Sequence, residues 1–245
     1  MRVVSYNIHK GFNLWGSQYT FDSLRSYLIE SDAEIVFLQE CAGQLRPQLK
    51  SRTRRGPDSQ PFSEQLELLA DSIWTDFAYG KNAVFNDGHH GNAILSKFPI
   101  SVHQNHDLSL NRWEKRGLLH AEIEVQSSPL HLFCTHLNLR QSHRNTQLNL
   151  IQDILKIVPQ NEPILLAGDF NDWRKSLDKK LTQQSGLSPA FDRPPLTYPS
   201  VLPALSLDRI YYRGLELKKS WTGDKTEASH SDHLPIFAEF DLNGK

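Results

Sequence analysis

Four short apolar segments of the chain each end in a polar side chain, and this pattern constrains the fold more than any other feature. The segments are rich in aliphatic and aromatic residues and too short for buried helices, as is typical of buried strands. Their polar ends are Asn7, Glu40, His136 and Asp169. Ligands bind open α/β sheets outside the carboxyl ends of the strands. The pattern therefore predicts strands whose polar ends meet at one edge of a sheet.

The remaining segments predict helices interleaved with further strands. Strands are predicted at 2–8, 34–39, 92–97, 116–125, 130–135, 163–167, 207–212 and 235–240. Apolar residues at helical spacing predict a helix from Phe21 to Leu28, another over 63–74, and a third through Leu148 and Leu155. The polar stretch from Cys41 to about Pro61 has no periodicity and predicts a loop. Without a linker-like segment, residues 1–245 are expected to form a single α/β (α+β) domain.

Composition limits the class of protein. The net charge is -1 with 22% charged residues, which is ordinary for a globular domain. Two cysteines, Cys41 and Cys134, cannot build a disulfide framework. The sequence shows neither a signal-peptide pattern nor an apolar stretch of membrane-spanning length. We therefore expect a cytoplasmic monomer that does not insert stably into membranes.

Two polar groups lie beside the last strands. Asp208 is near the start of the predicted strand 207–212, and Asp232 and His233 directly precede the strand 235–240. If these two strands run antiparallel to the first four, their polar residues reach the same sheet edge. That placement would gather a full set of acids, amides and histidines in one site.

The chemistry of such a set suits the cutting of a phosphate ester. Mg²⁺ prefers oxygen ligands and takes only one or two protein carboxylates, which fits Glu40 aided by Asn7 and Asp232. Asp169 can accept a proton from an attacking water while Asn171 donates to a phosphate oxygen. The two histidines can hold a non-bridging oxygen. The catalytic candidates are His136, Asp169, Asn171, Asp208 and His233, in which Asp208 orients His233 and favours its charged form.

Each residue also has an ordinary structural explanation. Asn7 could cap a turn, and Glu40 could be an exposed carboxylate at a strand end. Asp169 could form an Asx turn, and Asp208 with Arg209 could be a surface ion pair. The whole set in this order favours a site over these separate explanations.

Seven motifs in this order resemble the endonuclease/exonuclease/phosphatase (DNase I-like) family, in particular its compact bacterial branch with the SYNIHKG start. The motifs are SYNIHKG (5–11), LQE (38–40), GNAILSK (91–97), THLN (135–138), GDFND (168–172), SLDRIYY (206–212) and SDHLP (231–235). The resemblance implies a four-layered sandwich of two mixed β-sheets flanked by helices. It also implies Glu40 as principal metal ligand for Mg²⁺ or Mn²⁺, and Asp169 with Asn171 at the nucleophilic water.

This chain departs from the family pattern in two places. Abasic-site endonucleases of the family carry an acid two residues after the first Asn, where this chain has His9. That difference leaves open whether this chain has a second metal position of their type. The carboxylate that partners the first histidine in DNase I has no recognisable counterpart. Predicted substrate-binding residues are His90, Asn92, Arg116 and Asn138.

The substrate class stays open at this level. Basic residues follow three site motifs, as expected for a site that binds a polyanion. They are Arg46, Lys50, Arg52, Arg54, Arg55, Arg140, Arg144, Arg174 and Lys175. They favour a nuclease, either endonuclease or exonuclease, with a phospholipid or small-metabolite phosphodiesterase or phosphatase as the alternative. A non-catalytic nucleic-acid-binding module should have lost part of the acid and histidine set. A calcineurin-like phosphoesterase is excluded because its Asp-x-His and Gly-Asn-His motifs are missing.

Overall fold

The computed structural model describes residues 1–45, 65–85, 88–224 and 227–241. Its strands are β1 (Arg2–Asn7), β2 (Ile35–Leu45), β3 (Asp76–Phe85), β4 (Gly88–Ser96), β5 (Ile100–Asp107), β6 (Gly117–Val125), β7 (Ser128–His136), β8 (Ile164–Asp169), β9 (Ser188–Pro189), β10 (Asp208–Arg213), β11 (Glu216–Thr222) and β12 (Ile236–Asp241). Its helices are α1 (Phe21–Glu30), α2 (Gln65–Ile73), α3 (Gln141–Leu155) and α4 (Asp178–Ser185).

The strands form two mixed sheets. The first sheet has the order β11-β12-β1-β2-β4-β3, and the second has the order β5-β6-β7-β8-β10-β9. In the first sheet β1 is parallel to β2 and antiparallel to β12. In the second sheet β8 is parallel to β7 and antiparallel to β10. The condition set for the last two predicted strands is therefore met, since β10 runs antiparallel to β8 and β12 runs antiparallel to β1.

The two sheets pack face to face and are covered by helices on their outer sides. A central cluster joins Val3 and Phe37 of the first sheet to Leu132 and Leu165 of the second. On the outside of the first sheet, Leu24 of α1 joins a separate apolar cluster. A third cluster joins side chains of α3 and α4 to the outer face of the second sheet. The predicted four-layered sandwich is confirmed.

Strand alternation explains where the polar ends lie. Successive side chains point to opposite faces of a sheet, so Asn7 continues the row of Val3 on the inner face. By the same alternation, His136 continues the row of Leu132, and Asp169 continues the row of Leu165. These side chains form the polar end of an otherwise apolar interior, at one edge of the sandwich.

Several elements differ from the sequence-based predictions. The predicted loop after Glu40 is strand as far as Leu45, and the remainder of that stretch lies outside the described residues. The strands β3, β5 and β11 and the helix α4 were not predicted. Strand β5 lies at a sheet edge with mostly exposed side chains, so its sequence lacks the apolar alternation of a half-buried strand. Among the described residues, no helix has the length and apolar character needed to cross a membrane.

Candidate active site

The carboxylate of Asp169 lies at the centre of the candidate site. Its Oδ2 accepts a hydrogen bond from Asn7 Nδ2 at 3.1 Å. The same oxygen lies 3.4 Å from His136 Nε2 and 3.7 Å from His233 Nε2. Burial raises the pKa of Asp169 to about 6, although the charge of His233 lowers it. A carboxylate of this kind is suited to accept a proton near neutral pH.

Asp208 holds His233 from the opposite side of its ring. His233 Nδ1 lies 2.8 Å from Asp208 Oδ2, which also accepts a 2.5 Å hydrogen bond from Thr197 Oγ1. Burial alone would lower the pKa of His233, but the Asp208 carboxylate raises it to about 10. His233 is therefore protonated at neutral pH and presents an N–H towards Asp169. The surface ion pair considered for Asp208 and Arg209 does not form, because Arg209 pairs with Asp178.

The loop that carries Asp232 and His233 is fixed to two other parts of the chain. Ser231 Oγ donates to the carbonyl oxygen of Asn7 at 2.7 Å. Ser200 donates through its backbone N–H to the carbonyl oxygen of Asp232 and through its hydroxyl to that of Ser231. The Tyr198 ring lies 5.1 Å from the His233 ring, measured between centroids. These contacts set the position of His233 against Asp169.

Glu40 reaches the site through an irregularity in β2. The pairing of β2 with β4 shifts register between Leu38 and Cys41, and Glu40 has a φ of 52°. Gln39 contacts Cys134 in the interior, whereas Cys41 belongs to the outer cluster. The face of the strand therefore changes at Glu40, as a β-bulge produces. The predicted strand end at Glu40 is corrected to a bulge within a longer strand.

A lysine ammonium contacts the Glu40 carboxylate. Lys10 Nζ lies 2.6 Å from Glu40 Oε2. Burial alone would raise the pKa of Glu40, but His136 and Lys10 hold it well below its usual range. Burial and the charge of Arg116 hold the pKa of His136 well below its ordinary value. The Lys10 ammonium is the cation in direct contact with Glu40.

Two predicted substrate-binding residues, His90 and Arg116, border the same centre. Burial lowers the pKa of His90 to about 4, with further influence from Lys10 and from Glu40. The Arg116 guanidinium is largely buried, 3.6 Å from Glu114, and its Nε has no hydrogen-bond partner among the described residues. Both side chains therefore lie close enough to Glu40 or His136 to change their electrostatics.

Four residues at or beside the candidate site have a left-handed backbone conformation. His9, Lys10, Glu40 and Asn171 have φ values of 44°, 58°, 52° and 50°. Side chains other than glycine adopt this left-handed region only at a free-energy cost, and such residues cluster at functional sites. The strain is consistent with a backbone that positions side chains for chemistry.

The residues around Glu40 fit a hard divalent cation. Glu40 is an ionised carboxylate that already faces a positive charge. Asp232 is half-buried beside His9, at 3.9 Å, and Asn7 Oδ1 accepts a hydrogen bond from the His9 backbone at 3.1 Å. Each of these side chains carries oxygen, the ligand atom that Mg²⁺ and Mn²⁺ prefer.

A second group of ligand atoms lies deeper in the site. One ligand atom from each of Asp169, Asp208 and His233 lies within 4.8 Å of the others. Here the His233 ring stands between the two carboxylates and is protonated, so it already neutralises them. A metal ion would have to displace that proton. The Glu40 group is therefore the better candidate for metal binding.

Besides Asn7, the three other asparagines predicted at the site have different surroundings. Asn171 donates through Nδ2 to the Leu137 carbonyl, and its backbone N–H donates to Asp169 Oδ1, which completes an Asx turn. Asn92 is buried, donates to backbone carbonyls of the second sheet, and has an Oδ1 without a partner among the described residues. The amide of Asn138 is fully engaged with Glu114, His143 and Gln147. Asn138 thus has no free group for a phosphate and instead holds neighbouring loops together.

The basic residues that follow the site motifs fall into three groups. Arg140, Arg174 and Lys175 are exposed after the site motifs. Arg144 is fully buried, donates to the Leu139 carbonyl and lies 4.8 Å from the centroid of the Trp173 ring. Arg144 therefore does not contribute to an exposed basic surface that could bind a polyanion. The remaining residues, Arg46, Lys50, Arg52, Arg54 and Arg55, lie outside the described residues.

Sequence reasoning missed Thr197. Its hydroxyl and the ring of His233 are the two groups that contact Asp208 Oδ2.

Replacing Thr197 by Val should leave part of the buried Asp208 carboxylate without a partner and lower the free energy of unfolding by about 1–3 kcal/mol. It should also lower kcat several-fold, because His233 loses part of its support. Thr197→Ser, which keeps the hydroxyl, is the matched control in denaturant unfolding and kinetics. Equal kcat and stability for Thr197→Val and the wild type would contradict this role.

Comparisons with known proteins place the chain in a family. The model of the endonuclease/exonuclease/phosphatase family matches residues 4–233. The uncharacterized protein YbhP of Escherichia coli (strain K12) is 39% identical over 250 residues, covering 98% of this chain and 96% of YbhP. An endonuclease/exonuclease/phosphatase from Beutenbergia cavernae superposes with a TM-score of 0.75 at 18% identity, covering 100% of this chain and 72% of that one.

A further structural neighbour is Danio rerio TDP2, solved in complex with a single-strand DNA product. It superposes with a TM-score of 0.71 at 18% identity, and 99% of each chain is covered. At this identity the likeness concerns the fold alone. The family match, by contrast, spans every motif from SYNIHKG to the histidine of SDHLP. On these grounds the chain belongs to the endonuclease/exonuclease/phosphatase family.

Proposed function

We propose that this protein is a Mg²⁺- or Mn²⁺-dependent phosphodiesterase that acts on nucleic acid. The observation that carries the proposal is the contact of one carboxylate oxygen, Asp169 Oδ2, with Asn7, His136 and His233 at 3.1–3.7 Å. A base held between two histidines is suited to activate water beside a bound phosphate. Membership of a family of phosphoesterases supports the same reaction class.

Each side chain has a role in this proposal. Asp169 accepts the proton of the attacking water, and Asn7 holds its carboxylate in place. Protonated His233 donates to a non-bridging phosphate oxygen, with Asp208 maintaining its charge. The Nε2 of His136 faces the same space and also contacts the phosphate. Glu40 would hold a divalent cation, which when bound would supply charge neutralisation at the phosphate.

The two shifted pKa values predict the pH dependence of activity. Asp169 must be deprotonated, so kcat/KM should rise with pH through about 6. His233 must be protonated, so activity should fall as pH rises through about 10. Asp208→Asn removes the charge that raises the pKa of His233 and should move the alkaline limb to lower pH. A pH profile of kcat/KM for both proteins tests this, and an unchanged alkaline limb in Asp208→Asn would contradict it.

An exposed aromatic and basic surface beside the site favours nucleic acid as the substrate. Trp113, Leu139 and Trp173 are 81%, 58% and 40% exposed. Glu114 ties the loop of Trp113 to Leu139, because its carboxylate accepts hydrogen bonds from Leu139 and Asn138. Leu139 and Trp173 follow the site motifs that contain His136 and Asp169. Exposed aromatic rings next to arginines can stack on unpaired bases.

The solved complex of Danio rerio TDP2 with a single-strand DNA product supports this choice by analogy of fold. A double variant, Trp113→Ala with Trp173→Ala, should lower kcat/KM on single-stranded DNA by about 10-fold or more, since stacking contributes about 1–3 kcal/mol per base. It should leave hydrolysis of a small chromogenic diester unchanged. Val102→Ala removes an exposed apolar side chain of β5 and is the matched control. Equal losses on both substrates would contradict the stacking role.

The same surface also fits a phospholipid headgroup, which is the second candidate substrate. Tryptophan is favoured where one side of a ring is apolar and the other is wet, as at a lipid interface. Trp15 and Leu202 are further exposed apolar side chains, at 79% and 77%. A panel of single-stranded DNA, duplex DNA, RNA and phospholipid vesicles, each with Mg²⁺ and with Mn²⁺, separates the candidates. Turnover of vesicles without turnover of any nucleic acid would select the lipid.

A further prediction concerns Arg52, Arg54 and Arg55, which lie outside the described residues. Nucleic-acid binding through these arginines should weaken steeply with salt. Neutralising all three should flatten that salt dependence and spare a small chromogenic diester. Equal losses on both substrates would indicate a structural role for this stretch of the chain.

A further inference from the structure

The guanidinium of Arg144 is fully buried and contacts two of the loops that carry site motifs. Arg144 lies on α3, and its side chain is 0% exposed. Its Nη1 donates to the carbonyl oxygen of Asn138, at 3.3 Å, and to that of Leu139. Its Nη2 lies 3.9 Å from Asp172 Oδ1. One side chain thus joins the loop that follows β7 to the loop that follows β8.

The indole ring of Trp173 lies on this guanidinium. The Cζ atom of Arg144 is 4.8 Å from the centroid of the ring, which is the distance of a cation–π contact. The Trp173 side chain is nevertheless 40% exposed, so part of the ring is open to solvent. An exposed aromatic ring of this kind can stack on an unpaired base. The ring therefore has a buried cation on one side and room for a ligand on the other.

The backbone beside Trp173 is held independently of the ring. Asp172 accepts a hydrogen bond from the Ser176 hydroxyl at 2.9 Å and another from the Leu177 backbone at 2.8 Å. These bonds fix the turn, but they do not contact the indole. The group that lies against the indole is the guanidinium of Arg144. The orientation of the ring thus depends on Arg144 more than on the hydrogen bonds of the turn.

The pairing of Arg144 is incomplete for a buried cation. Its Nε and Nη2 have no hydrogen-bond partner within the described ranges, and Asp172 lies beyond hydrogen-bond distance of Nη2. Unpaired buried polar groups destabilise a fold, and an apolar side chain of similar volume would often stabilise it as well or better. A purely structural role therefore explains this arginine poorly. Support of an exposed ring beside the candidate site explains it better.

We propose that Arg144 is a positioning residue that orients the Trp173 ring as a platform for an unpaired base of the substrate. The inference rests on the proposed nucleic-acid function and adds to it the residue that sets this contact. The planar fork of arginine can donate to two carbonyl oxygens and lie flat beneath an indole, which a lysine ammonium cannot do. Trp173 follows Asp169 by four positions, or at most about 14 Å of chain. The stacked base therefore belongs to a nucleotide near the bond that is cut.

Binding of a labelled single-stranded oligonucleotide tests this role separately from turnover. Fluorescence anisotropy is measured in excess chelator and at one salt concentration, because salt alone changes such affinities. Trp173→Ala should raise the Kd by about 5-fold or more. Arg144→Lys keeps the positive charge but loses the fork, so it should raise the Kd by about 3- to 10-fold.

A double-mutant cycle shows whether Arg144 acts through the ring. Arg144→Lys should have no further effect on the Kd in the Trp173→Ala background, because the ring that it positions is gone. It should keep its full effect in the Trp113→Ala background, which is the matched control. Arg144→Met fills the same buried space without a charge and should behave in the same way. It carries the test if Arg144→Lys does not fold.

The outcomes separate this inference from the proposed function. If Trp173→Ala weakens binding but Arg144→Lys and Arg144→Met bind as the wild type does, the positioning role is wrong and the proposed function stands. A loss that is as large in Trp173→Ala as in the wild type, or that also disappears in Trp113→Ala, would overturn the role as well. Unchanged affinity in Trp173→Ala, or a wild type that binds no single strand, would contradict the nucleic-acid proposal and this inference together.

Discussion

Replacing Asp169 by Asn is expected to lower kcat by about 10²- to 10⁴-fold, the usual contribution of a general base. The amide cannot accept the proton of water, and it places an N–H against the imidazole N–H of His233. KM should change little, because Asp169 acts on the transition state more than on substrate binding. Steady-state kinetics on a small chromogenic phosphodiester measures both constants.

Asp172 provides a matched control within the same motif. Asp172 Oδ2 accepts from the Leu177 backbone, and Oδ1 accepts from Ser176, so this carboxylate supports the chain that enters α4. Asp172→Asn should therefore lower the Tm and leave kcat near that of the wild type. If Asp169→Asn kept near-normal kcat, or if Asp172→Asn lost as much kcat while remaining folded, the assignment of the base would be wrong.

Replacing Glu40 by Gln should abolish metal-dependent turnover, with a loss of about 10³-fold or more. Charge neutralisation by a metal at a phosphate contributes several kcal/mol, and each 1.36 kcal/mol corresponds to a factor of ten in rate. The fold should persist, because Glu40 contacts Lys10 at the edge of the site and not the apolar interior. Circular dichroism checks the fold, and a Mg²⁺ or Mn²⁺ titration of activity checks the loss.

Replacing Lys10 should have the opposite effect on metal binding from replacing Glu40. Its ammonium contacts Glu40 at 2.6 Å and competes with a metal ion for the carboxylate. Lys10→Met should therefore lower the Mg²⁺ concentration needed for half-maximal activity. Unchanged metal dependence in both Glu40→Gln and Lys10→Met would place the metal elsewhere.

The buried strands could be predicted from sequence because the interior fixes their residue pattern. β1, β8 and β12 are apolar on the inner face and are covered on the outer face, so their composition signals strand directly. Edge strands carry no such signal. β5 has mostly exposed side chains, and its polar sequence gives no alternation, so its position depends on pairing with β6.

The sequence predicts which residues form the site, but not how they are arranged. Local alternation puts Asn7, His136 and Asp169 at strand ends, and the motif series supplies their roles. The bulge at Glu40 depends on the register between β2 and β4, which no local pattern reports. The contact between Lys10 and Glu40 joins a residue that follows β1 to a residue within β2, so it appears only when the strands are paired.

Residues that support the site were the hardest to find. Thr197 lies in a turn-rich segment whose composition suggests only a loop, and its role arises from contact with Asp208. Asn138 and Arg144 look like substrate ligands in sequence because they follow His136. In the fold, their polar groups are directed to loop carbonyls and neighbouring side chains. Tertiary contacts decide such roles, and sequence spacing does not record them.

The most direct test of the account is hydrolysis of a chromogenic phosphodiester by the purified chain and by Asp169→Asn. Each protein is assayed with Mg²⁺, with Mn²⁺ and with excess chelator. The account predicts turnover by the wild type that requires the metal and returns when the metal is restored, and little turnover by Asp169→Asn under any condition. Wild-type turnover that persists in excess chelator, or equal turnover by Asp169→Asn, would contradict the central claim.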